Sequence, residues 1–213
     1  MNRPTIRLAA APIAAILLAS ALTGSAAAGQ TDLQKAQAGT AQFHDITVAG
    51  DAGYGQPPSP APLHFCISSL DNTGAMGFHY INGDNLNNIT DPSRPGVLVY
   101  APDKHGRLHL AALEYVIFQS VWFADHAANT MPEMFGQPMM ANNGERFQIP
   151  PFFALHVWLF QDNPSGLFAP FNPSVSCDSA SASAGRSSAI GKAAVALTAS
   201  ARRWSCEVAA RIS

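Results

Sequence analysis

Apolar residues in this chain come in short runs separated by clusters of Gly, Pro, Asn and Asp, and the period of each run predicts an element. Positions 34–50 carry Ala36, Phe43, Ile46 and Val48 at helical spacing, with Gly53 and Gly55 as stop signals, and predict an N-terminal helix. Four prolines within 56–62 predict an extended linker. The short apolar run Leu63-His64-Phe65-Cys66-Ile67 follows, then the turn Asp71-Asn72-Thr73-Gly74 and a strand over 76–81. Residues 82–95 read as a loop. Val97-Leu98-Val99-Tyr100 and 108–118 read as a β-hairpin with a five-residue connection, Pro102-Asp103-Lys104-His105-Gly106. The run 152–160 is the strongest strand, turned by Asp162-Asn163-Pro164-Ser165-Gly166. The expected class is α+β: a small antiparallel sheet of four to five strands, an N-terminal helix and long loops. Residues 121–148 are too long for an idle loop in a compact domain, so they are expected to act as a lid or to face a substrate.

Three polar residues interrupt the apolar runs. They are His79 in Gly77-Phe78-His79-Tyr80-Ile81, Glu114 in Leu113-Glu114-Tyr115-Val116, and His156 in Leu155-His156-Val157-Trp158. Burying such groups is costly unless each finds a partner. Strand alternation places Leu108, Leu110, Ala112 and Val116 beside Glu114, with His109, Ala111, Leu113 and Tyr115 facing the other way. It likewise puts His156 beside Trp158 and Phe160, and His79 beside Gly77 and Ile81. Any partner of Glu114 must therefore come from another strand.

Composition adds a compartment and boundaries. Arg3 and Arg7, the apolar stretch 8–22 and Ser25-Ala26-Ala27-Ala28 read as a cleavable export signal over 1–28, which predicts a periplasmic or secreted protein with no membrane span after cleavage. Residues 29–62 form the helix and Pro-rich linker, and 63–177 the sheet domain. The tail 178–213 is Ala/Ser-rich, 19 of 36 residues, and reads either as a disordered or weakly helical appendage or as non-native sequence beyond a frameshift. Between 29 and 177 the chain carries twelve acids against five bases, an acidic body without the basic patches that nucleic acid requires. Cys66 and Cys177 bracket the aromatic-rich body and are expected to pair, leaving Cys206 free.

The series Gly77-Phe78-His79-Tyr80, Leu113-Glu114-Tyr115, Phe135-Gly136-Gln137-Pro138, Leu155-His156-Val157-Trp158-Leu159-Phe160, Asn163-Pro164-Ser165-Gly166-Leu167-Phe168 and Asn172-Pro173-Ser174-Val175-Ser176-Cys177 resembles a family of short exported bacterial proteins without an assigned reaction. The resemblance covers about residues 40–177. It implies export and a single domain ending near Cys177, and brings no activity with it.

Several chemistries remain open for the three residues. Two His and one carboxylate are the ligand set of a facial triad and of many zinc sites, so a divalent metal is the candidate cofactor, held by His79, Glu114 and His156. A metal-free pocket is a second reading, with a His–Glu pair for acid–base work or a small polar ligand held between Trp158, Tyr80 and Tyr115. A third is a satisfied buried network in an envelope protein, in which Glu114 bonds His79, His156 or the amide of Gln137. His44 and His64 remain possible additions, whereas His105 and His109 read as surface residues. The methionines 131, 134, 139 and 140 suit copper(I) or, more simply, gap filling. There is no G-x-S-x-G elbow, G-x-G-x-x-G turn or P-loop. The leading expectation is an exported, disulfide-tied binding domain with a polar His/Glu pocket; the runner-up is a metal-dependent enzyme using the same three residues.

Overall fold

The computed structural model describes residues 19–178, with side chains from Gly29 onward. Most of the expected export signal and all of the tail after Asp178 lie outside the described residues. Helical structure is present from Ala19 to Asp51, but not as one helix over 34–50. Helix α1 (Ala19–Thr40) runs into a 3-10 turn at Ala41–His44, and a separate short helix α2 covers Ile46–Asp51. The break sits at Asp45, whose carboxylate accepts the Thr47 N–H at 2.9 Å and the Thr47 hydroxyl at 2.7 Å. That is an N-cap, and it starts a new helix where periodicity alone predicts a continuous one. Gly53, at φ +90°, follows the end of α2 in a conformation that favours glycine.

Six antiparallel strands build the main sheet: β1 (Ile67–Ser68), β2 (Ala75–Ile81), β3 (Val97–Pro102), β4 (Leu108–Phe118), β7 (Met140–Asn142) and β8 (Phe152–Val157). Their order is β1-β2-β3-β4-β8-β7, with β5 (Glu133–Met134) and β6 (Gln137–Pro138) forming a separate small pair. The expected four to five strands thus become six. The additions are the edge strands β1 and β7, two and three residues long, too short to leave a period-2 signature. Residues 121–148 are not structureless, since they contribute part of helix α3 (Gln119–Asp125), the β5/β6 pair and β7.

The sheet is covered on both faces, which is why β3 and most of β4 read as continuous apolar runs rather than alternating ones. On one face Leu98, Tyr100, Leu113, Tyr115 and Leu155 pack under the N-terminal helices through Ala36, Phe43 and Ala49. On the other, Val97, Val99, Ala112, Val116 and Phe152 meet loop residues including Phe147 and Val175. Two irregularities reset the alternation. Opposite Val99 and Tyr100, β4 carries an extra residue, because Val99 pairs Ala112 while Tyr100 pairs Leu110. Ala111 is that bulge residue. Leu110 and Leu108 therefore join the helix-covered face, and only Ala112 and Val116 of the expected set lie beside Glu114. In β2, Gly77 at φ +113° does the same, so Met76 and His79, three residues apart, face one cavity. A Cβ on Gly77 would fall 2.5 Å from the Tyr100 carbonyl oxygen, so the close approach requires glycine.

Strand β8 stops at Val157, short of the expected Phe160, when Trp158 N–H turns to the Leu167 carbonyl at 2.9 Å. Phe160 consequently packs toward the helices rather than beside His156. Cys66 and Cys177 are joined by a disulfide, with Cα atoms 5.7 Å apart. Among the described residues no helix is long and apolar enough to cross a membrane.

Candidate functional site

His79 on β2 pairs across to Val99, while Glu114 on β4 lies between Val97 of β3 and His156 of β8. From β2 to β8 the backbone spans three inter-strand steps, about 14 Å at ~4.8 Å each. One ligand atom from each of the three side chains nonetheless lies within 4.8 Å of the others. The register places His79, Val97, Glu114 and His156 on one face of the sheet, where all four line the same cavity. All are buried: His79 is 2% exposed, His156 5% and Glu114 7%.

Buried and adjacent, they still do not satisfy one another. His79 Nε2 stands 3.6 Å from Glu114 Oε2, and His156 Nε2 stands 3.7 Å from Glu114 Oε1. Hydrogen bonds of this kind fall at about 2.7–3.2 Å. His79 Nδ1 and His156 Nε2 are buried without a hydrogen-bond partner. Burial pushes Glu114 up to about 8. It pushes His79 down to about 4, against a weaker opposing effect of the Gly77 carbonyl. His156 falls to about 3 through burial and, secondarily, through its neighbour His79. At neutral pH the metal-free cluster is thus largely uncharged: two neutral imidazoles and a protonated carboxyl, rather than an ion pair.

The three line a cavity of about 110 Å³ whose other walls are mostly apolar, among them Met76, Ile81, Val116, Phe118, Phe147 and Phe152. A water needs only ~10–15 Å³ on such a measure, so the space exceeds what bridging waters require. Part of the wall comes from the segment 121–148, through Met140, Ala141, Asn142 and Phe147. In the sequence that segment stands out by its length alone. Asn142 carried no signal, being one of many asparagines in loops.

The aromatic partners expected for a pocket are not there. Tyr80 and Tyr115 follow His79 and Glu114 directly and so point to the opposite face. Tyr80 packs against the Tyr100 ring, and the Tyr115 hydroxyl donates to the Pro92 carbonyl. Trp158 shares the cavity-side core but does not line the cavity, and its indole N–H donates to the Ala169 carbonyl at 2.7 Å. Gln137 is exposed and makes no partner for Glu114. His64 is engaged with the Pro57 carbonyl, and His44 with the Phe160 ring, so neither joins the cluster. The methionines do not converge: Met134 and Met139 fill the helix-side core, and Met140 stands at the cavity wall. Among the described residues, His79, Glu114 and His156 are the group whose ligand atoms come together.

Comparison with protein-family models, with curated proteins and with solved structures finds no match to this chain.

Proposed function

We propose that His79, Glu114 and His156 hold a divalent transition-metal ion of the zinc type, with open coordination facing the apolar cavity, in an exported small-molecule-binding protein. The observation that carries this is the combination of convergence and dissatisfaction. Three good ligand groups meet within 4.8 Å, yet their nitrogen–oxygen separations of 3.6 and 3.7 Å exceed hydrogen-bond length, and His156 Nε2 is left buried and unpaired beside the carboxylate. A tetrahedral site with bonds of about 2.1 Å has ligand–ligand edges of about 3.4 Å, close to those separations. A buried network built only for stability would close them to hydrogen-bond length, since an unpaired buried polar atom costs about 1–3 kcal/mol.

Three protein ligands leave at least one position open, the mark of a binding or catalytic metal rather than a structural one. A metal there supplies Lewis acidity and lowers the pKa of a bound water. The disulfide fits an oxidising compartment and supports the export that the N-terminal residues suggest.

Elemental analysis of the full chain purified after export tests the reading. The expected result is about one metal per chain, lost on His156→Ala. A wild-type chain that stays metal-free when dialysed against excess zinc, cobalt or nickel overturns it.

A further inference from the structure

We propose that the site takes a small apolar monocarboxylate, its carboxylate on the metal and its hydrocarbon body in the cavity; this rests on the metal reading above. Charge leads the argument. A divalent ion with two neutral imidazoles and one carboxylate carries net +1, and a lone charge among apolar walls is costly unless a counter-charge accompanies it. The cavity wall contains no second acid and no Lys or Arg. The missing charge is therefore one negative unit supplied by the ligand. A phosphate, with up to two charges and several oxygens to satisfy, would lack the donors it needs there.

The walls define the rest of the ligand. Ile81, Leu86, Val97, Val116 and Phe152 offer no hydrogen bond from their side chains and reward a hydrocarbon body. Asn142 is the remaining polar side chain of the wall. Its carbonyl oxygen accepts the Gly144 N–H at 2.8 Å, and its amide nitrogen is a donor that suits a carboxylate oxygen. Size follows from volume. An apolar cavity of about 150 Å³ accommodates benzene, so 110 Å³ suits a body of about four to six carbons. Met140, 53% exposed at the wall, provides a flexible side chain on the solvent side.

The test uses the full-length protein, stripped with a chelator and reloaded with cobalt(II), whose visible bands report its ligands. Acetate, butyrate, hexanoate and decanoate are titrated in turn, with hexanol and hexylamine as controls. The expected result is a saturable band shift with affinity rising about four-fold per added methylene up to hexanoate, then falling for decanoate. Hexanol and hexylamine leave the bands unchanged. Ala154→Leu, which extends a side chain into the cavity, keeps the cobalt spectrum and weakens hexanoate by about tenfold. Cobalt bands that appear but ignore every carboxylate, or an affinity flat with chain length, overturn the ligand proposal while leaving the metal site standing. If no cobalt binds, the metal reading fails and the ligand proposal with it.

Discussion

The two faces of the sheet treat polar groups in opposite ways. Under the helices, each buried hydroxyl is spoken for. Tyr100 donates to the Phe43 carbonyl at 2.6 Å, Tyr54 to the Pro95 carbonyl at 2.8 Å, and Tyr115 to the Pro92 carbonyl. Asn85 bridges Tyr54 and Arg94. The opposite face holds His79, Glu114 and His156 without a hydrogen bond among them, beside a cavity. One chain under one set of folding constraints satisfies its polar groups on one side and leaves them open on the other. A face whose hydrogen bonds are complete is built for stability. A face that tolerates unpaired ligand atoms around a hollow is built to receive something.

The largest effect expected concerns what keeps the hollow face assembled. The disulfide ties the segment behind Leu63 to the segment behind Pro170, two cavity walls, across a sequence separation of 111 residues. Replacing Cys66 and Cys177 by serine should cost about 4–5 kcal/mol on the chain-entropy account. Urea denaturation measures it. A loss below about 1 kcal/mol would mean that packing alone holds both faces, and the asymmetry in how they are held together would disappear.

Next in size is a test of the satisfied face. Tyr100→Phe removes one buried hydroxyl and strands the Phe43 carbonyl, at an expected cost of about 1–3 kcal/mol. A thermal melt in which Tyr100→Phe matches wild type would show that the hydrogen bonds under the helices are incidental. The contrast between the faces would then rest on the cavity alone.

How much of this was legible in the sequence differs between the same two faces. The four long strands were readable because each is an apolar run ending in turn residues, and His79, Glu114 and His156 stood out because they interrupt such runs. That the three could share a pocket was readable, but which strands are neighbours was not: the regular register His79–Val99 and Val97–Glu114–His156 puts all three on one face, whereas the bulge at Ala111 resets alternation only for the residues before it and has no mark in the residue pattern. Leu108 and Leu110 lie under the helices, against strict alternation, because of that bulge. Tyr80 and Tyr115 are a different matter: strict alternation alone sends each away from its polar neighbour, so their position under the helices is legible in the sequence. The cavity itself had no sequence signal, because a void is set by which side chains fail to meet across the fold. The helix break at Asp45 was readable in principle, since Asp45-Ile46-Thr47 is a capping signature, but the apolar period ran straight through it.

The smallest effect is also the sharpest, because its sign separates the two faces. Consider the metal-free protein. Glu114 keeps its proton up to about 8 when folded, against 4.5 for an ordinary Glu, whereas His79 and His156 stay neutral down to about 4 and 3 when folded, against 6.5. Between 4.5 and 6.5 the unfolded chain binds protons on two histidines while the folded protein binds one on Glu114, so these groups make stability rise with pH. From 6.5 to about 8 only Glu114 differs, and stability falls. Their combined contribution peaks near pH 6.5. Glu114→Gln keeps the shape and cannot ionise, so the metal-free variant should match wild type within about 1 kcal/mol near pH 6 and lack the decline above 6.5. Added zinc should raise the wild-type melting temperature above pH 6.5, where the carboxylate is wanted charged, and leave the variant unmoved. A structural network predicts the reverse: Glu114→Gln would cost as much as Tyr100→Phe at every pH, zinc would change nothing, and the two faces would be the same kind of surface.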